Sequence, residues 1–173
     1  MKRSTKRISS VLAMAFVFGL LMSTPATVSA QALAEQVSRQ VTEDLNLTRD
    51  IIQIKRKAIV ALNMGLTDSE SEAFWPVYDE YWFEMKKLGD REVALISDFA
   101  KNYVYESMTN QKAKELHQEW LSIKKATLKL QEKYAKKFSK VLPEKKVLRY
   151  FQIENKLDLI IDSELSAEIP LAR

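Results

Sequence analysis

The chain has 173 residues, with 27 Lys and Arg against 23 Asp and Glu, a single His and no Cys. The lack of Cys excludes thiol catalysis, a disulfide scaffold and Cys-ligated metals. The formal net charge of +4 does not point to nucleic acid: Lys2, Arg3, Lys6 and Arg7 lie in a leader without acids, and 27 bases less those four leaves 23 against 23 acids.

That leader combines the four bases with an apolar run from Val11 to Met22 and a small-residue stretch ending at Ala30. It reads as a secretory signal peptide at 1–30, cleaved after Ala30, and predicts a periplasmic location. The run is short for a bilayer span and no second one follows, so no membrane span is expected. Gln31 stands where a lipidated chain would need Cys. The remaining 143 of the 173 residues suit one domain with one core. After the leader there are only Gly65 and Gly89, with Pro76, Pro143 and Pro170, a punctuation suited to a few long helices rather than many turns.

Residues 31–47 are polar, with Leu33, Val37, Val41 and Leu45 every fourth position; the pattern fits a flexible arm or a helix extension. A single helical domain is expected over 48–168, with a short tail at 169–173. The first helix starts at Thr48, carries Ile51, Ile54, Ala58 and Leu62 on one stripe, and stops at Gly65. Leu66-Thr67-Asp68-Ser69-Glu70 then supplies a capping box, in which Thr67 caps and Glu70 reaches back.

Helix two carries Phe74, Tyr78, Tyr81, Met85, Leu88, Leu95 and Phe99, widened by Trp82, Ile96 and Tyr103, and is predicted to run to about Ser107. Pro76 predicts a bend near 72–75, with Gly89 as a second weak point. Thr109 or Asn110 caps helix three, whose seam of Ala113, Leu116, Trp120, Ile123, Thr127, Leu130, Tyr134, Phe138 and Val141 keeps a three-four spacing. Leu142-Pro143-Glu144 restarts the chain, with the proline in the first turn of helix four. The stripe of that helix is Val147, Tyr150, Leu157, Ile161 and Leu165, and Glu154 falls on it. The expected fold is therefore all-α, an elongated four-helix hairpin or bundle.

Charge is segregated along the chain. Leu66 to Glu106 holds ten acids and four bases, whereas Lys112 to Arg149 holds twelve bases and four acids. Helices two and three can attract one another, or helix three can offer a basic surface to an acidic partner.

Chemistry-bearing sets are missing from the sequence. His117 has no second His, and the Met residues of the mature chain are scattered, so no metal ligands, cofactor or catalytic residues are assigned. No glycine-rich phosphate loop occurs. The expected protein is not an enzyme. Five aromatic residues lie between Phe74 and Trp82 and cannot share one narrow helix face, so some should reach a second interface. Glu154, on an apolar stripe, needs a Trp or Tyr polar group or a base from helix three as its partner.

Leu66-Thr67-Asp68-Ser69-Glu70 resembles the Leu-Thr-x-x-Gln motif of the Spy/CpxP-like periplasmic helical proteins, with Glu for Gln. Leu142-Pro143-Glu144-Lys145-Lys146 resembles the second copy, with Pro for Thr and Lys for Gln. The resemblance implies a thin, bent helical hairpin, an antiparallel dimer, and work as an ATP-independent chaperone or envelope-stress regulator. On that expectation the candidate client surface comprises Phe74, Trp75, Tyr78 and Trp82 with Lys124, Lys125, Lys133 and Lys137. The alternative is a periplasmic signalling protein that docks one dedicated envelope partner.

Overall fold

A computed structural model describes residues 30–172, and within them the chain forms four α-helices. They are α1 (Ala30–Met64), α2 (Asp68–Val104), α3 (Asn110–Phe138) and α4 (Glu144–Glu168). The fold is an all-α bundle of long helices. The signal peptide expected at 1–30 lies outside the described residues except for Ala30, which opens α1. Residues 31–47 are helical and continuous with the rest of α1.

The boundaries follow local chemistry. Gly65 ends α1 with a φ of +57°, a left-handed conformation that glycine adopts without a Cβ penalty. Thr67 then caps α2 reciprocally: its hydroxyl accepts from the Glu70 amide at 3.3 Å, and its own amide donates to Glu70 Oε2 at 2.8 Å. The helix continues through Pro76 as one element, although that residue brings no amide hydrogen to the ladder. It ends at Val104, a turn before the expected Ser107. Thr109 caps α3 through the Lys112 amide at 3.1 Å. Pro143 occupies the N-cap of α4 rather than its first turn, and its carbonyl accepts from Lys146 and Val147.

Side-chain pairing fixes the packing. Lys112–Asp98, Arg91–Glu119, Lys133–Glu84 and Lys137–Glu80 run α3 antiparallel to α2. The charge segregation of the sequence is thus spent, in these pairs, between neighbouring helices. Ser38 with Ser97 and Lys57 with Asp79 set α1 antiparallel to α2, while Arg56 with Glu154 and the Asn63 carbonyl with Arg149 set α4 antiparallel to α1. Leaning on α1, α4 makes little backbone approach to α3.

The core gathers at the pole where α1 ends and α4 begins. Val60 and Met64 of α1, Phe74, Tyr78 and Tyr81 of α2, Tyr134 and Phe138 of α3, and Val147 and Tyr150 of α4 are buried together. The Phe138 and Tyr150 ring centroids are 4.7 Å apart, and Phe74 lies 5.3 Å from Phe138 and 5.6 Å from Tyr150. Such aromatic pairs add about 0.5–1.5 kcal/mol each beyond their burial.

Two expected stripes are corrected. Ile51, Ile54, Ala58 and Leu62 of α1 face outward, and the buried row is Arg56, Val60 and Met64, with Ile52 partly covered beside it. The row was disguised because it contains an arginine, which the hydrophobic pattern counts as a solvent position. On α3, Ala113 and Trp120 are exposed while Ile123, Leu130, Tyr134 and Phe138 are buried; with α4 set against α1, the first half of the α3 seam is not closed over.

Candidate functional site

The two helix-start motifs meet at the aromatic pole. Leu142 is buried in the core and Leu66 packs against it. Lys146, fifth in the second motif, pairs with Glu70, fifth in the first, and donates to the Gly65 carbonyl at 2.8 Å. The Glu and Lys that replace the two motif glutamines are therefore complementary. Lys146, together with the Thr67 amide, holds the Glu70 carboxyl below its ordinary range. This clasp positions the starts of α2 and α4 against each other.

The expected client surface does not hold as a unit. Phe74 and Tyr78 are interior, 0% and 1% exposed, because four helices converge on their stretch of α2. Trp75 and Trp82 are half-buried; Trp75 Nε1 donates to Ser71 Oγ at 2.9 Å, and the Arg56 guanidinium lies 4.6 Å from the Trp82 ring centroid. Lys133 and Lys137 are tied to Glu84 and Glu80 at 2.8 and 2.6 Å. Lys124 and Lys125 are exposed. His117 is also exposed and stacks on Trp120, with centroids 6.2 Å apart.

Outward apolar residues, among them Ile51, Ile54, Leu62 and Trp120 of the expected stripes, take the place of the aromatic cluster. Leu62 is 85% exposed and Ile54 75%, with Ile51 and Ile59 beside them on α1. Phe83 of α2, Trp120, Leu121 and Leu128 of α3, and Leu148, Leu159 and Ile160 of α4 are exposed as well. Lys125 and Lys129 flank Leu121 and Leu128 and form no ion pair among the described residues. Single exposed leucines are ordinary, but a helix whose strongest apolar stripe faces solvent is not.

Glu154 has its partner on α1, not α3. Arg56 pairs with it and donates from Nη2 to Asp158 at 2.7 Å. Arg56 and Glu154 are only 5% and 3% exposed. Burial pushes the Glu154 carboxyl up to about 7 against the opposing pull of Arg56. Burial pulls the Arg56 guanidinium down, but Glu154 and Asp158 outweigh it and leave its pKa raised. The phenols of Tyr78, Tyr81 and Tyr150 are all pushed up, first by burial and next by the Glu154 charge. Among the described residues, Arg56 Nε and Glu154 Oε1 are buried without a hydrogen-bonding partner, while the Tyr78 phenol lies beside Gln53 and the Tyr150 phenol beside the Trp82 indole. The sequence signal for this centre was the carboxylate on an apolar stripe; Arg56 was missed because an arginine on an amphipathic helix reads as surface.

No group of three or more His, Cys, Asp or Glu residues suited to a metal ion occurs among the described residues. The cleft between α1 and α2, about 480 Å³, is lined by Ser38, Thr42, Ser97, Asp90, Asp98 and Lys101 with two apolar residues. Its hydroxyls bond to one another and to the Ser38 carbonyl, at 2.7 to 3.0 Å, and so are not aimed at a ligand. No helix among the described residues is long and apolar enough to cross a membrane. No protein-family model, curated protein or solved structure matches the chain.

Proposed function

We propose that the protein is an exported, non-catalytic binding protein that holds partly unfolded protein chains without ATP, as the resemblance of its helix-start motifs to the Spy/CpxP-like family implies. The observation that carries the reading is the outward apolar stripe of α1, with Leu62 85% and Ile54 75% exposed. Burial elsewhere would recover about 25 cal/mol for each Å² of apolar surface withdrawn from water. Lys125 and Lys129, in no ion pair among the described residues, add long-range attraction to acidic segments around Leu121 and Leu128. Contact through several helices suits heterogeneous clients better than one lock-and-key partner. Removal of 1–30, a periplasmic setting, a role in envelope stress and an antiparallel dimer belong to the same proposal.

The test is light scattering from an unfolding client with the mature chain added at up to several-fold molar excess. Suppression without ATP supports the reading, and an unchanged aggregation curve rejects it. Affinity capture from periplasm adds a second check: a heterogeneous set of proteins fits holding, whereas one stoichiometric partner would transfer the reading to a dedicated docking protein.

A further inference from the structure

The charged layer above the aromatic core holds more acid than base. Glu154, Asp158 and Asp162 project from α4 and Glu92 from α2, against Arg56 of α1 and Lys124 of α3. Tyr78, Tyr81 and Trp82 of α2 and Tyr150 of α4 are polar groups of the same layer, with Gln53 of α1 beside Tyr78 and Gln131 of α3 beside Tyr81. One carboxylate oxygen of Glu154 is bonded to Arg56, while the other is buried without a partner. A buried anionic oxygen in that position is costly, whereas a protonated carboxyl gives up the charge and gains a donor.

The same layer holds α4 down. Before Glu154, α4 is fixed by Val147 and Tyr150 in the core and by Lys146 and Arg149 on the α1–α2 connection and the end of α1. From Glu154 onward, Glu154 and Asp158 of α4 accept side-chain hydrogen bonds from Arg56 of α1.

We propose that Glu154 is a proton-operated latch between α1 and α4: protonated, it lets the second half of α4 seat on Arg56 and the α2 aromatics, and ionised, it loosens that half. The proton comes from solvent and returns to it, and Asp158 keeps Arg56 paired while Glu154 is neutral. The folded carboxyl lies at about 7, above its ordinary value, so the seated state is favoured by proton uptake. That contribution is fully present below the ordinary carboxylate range and is lost as pH rises through about 7. Glu92, also raised by burial and by Asp162 and Asp158, acts in the same direction. The latch is independent of the client-holding proposal.

Amide exchange of the intact mature chain, corrected for intrinsic rates, tests it at pH 5.5 and 7.5. The second half of α4 should open at least about tenfold more at the higher pH, while its first half changes little. Glu154→Gln should abolish that dependence, and Glu92→Gln should retain most of it. Equal opening at the two pH values, or a Glu154→Gln protein with the wild-type dependence, overturns the latch. If that variant does not fold, a carbon-13 titration of the wild-type Glu154 carboxyl decides: a midpoint above about 6 supports the latch, and one at about 4.3 contradicts it.

Discussion

At the pole where α1 ends and α4 begins, Phe74, Phe138 and Tyr150 close around one another, with Val60, Met64 and Leu142 filling the remaining space. At the opposite end, α1 and α2 meet through Ser38, Thr42 and Ser97, joined by hydroxyl contacts of 2.7 and 3.0 Å. At about 1.5 Å per residue, the 37 residues of α2 span roughly 55 Å and the 25 of α4 roughly 37 Å. The pole therefore has four helices and the far end mainly three. A molecule with its stability concentrated at one end can open locally at the other without unfolding as a whole.

The largest break in that contrast should come from Phe138→Ala. Deleting a ring that touches Phe74, Tyr81, Tyr134 and Tyr150 should cost about 3–5 kcal/mol, read as a lower midpoint in chemical denaturation. A loss below about 1 kcal/mol would mean that the pole is not the cooperative core.

Arg56→Met comes next, because it leaves Glu154 buried without its cation. Removing one partner of a buried pair costs about 3–5 kcal/mol when the other stays charged. Above neutral pH the loss should approach that range; toward pH 5, where Glu154 takes up a proton, it should shrink. Melting temperatures of the variant and the wild type at both pH values check the sign.

At the far end, Ser97→Ala should cost only about 1 kcal/mol, the usual worth of a neutral hydrogen bond. Its main effect should be faster amide exchange in 30–43 of α1, with the pole unchanged. At the motif clasp, Lys146→Gln should remove the cation that keeps Glu70 below its ordinary pKa. Glu70 contributes stability that is present above the ordinary carboxylate range and lost as pH falls through its lowered folded value. The variant should therefore lose less stability than wild type as pH falls through the carboxylate range, so the two melting profiles differ most near neutral pH and converge in acid.

These contrasts also explain what the sequence disclosed. The start of α2 was legible to the residue, because Thr67, Glu70 and Gly65 act through local backbone chemistry that needs no tertiary context. The α3 seam was legible only from Ile123 onward, since helical spacing shows that a face is apolar but not whether another helix covers it. The α1 stripe was misread for a related reason: the buried ion pair of Arg56 with Glu154 makes the inward row look polar, and the isoleucines opposite then look like the core. Glu154 could be flagged from its position on an apolar stripe, but its partner lies 98 residues away, beyond any local pattern. The aromatic cluster split because only four-helix convergence decides which of Phe74, Trp75, Tyr78 and Trp82 is enclosed.

The smallest expected effect on stability is also the one that bears most directly on function. In Ile54→Ser/Leu62→Ser, two outward side chains are changed, and the melting temperature should stay near that of wild type, since exposed substitutions usually fall within about 0.5 kcal/mol. Client aggregation should be measured beside the melt for both proteins. Loss of suppression with the melt unchanged is the predicted result; a variant that is equally stable and suppresses as well as wild type would contradict the claim that the α1 stripe holds clients.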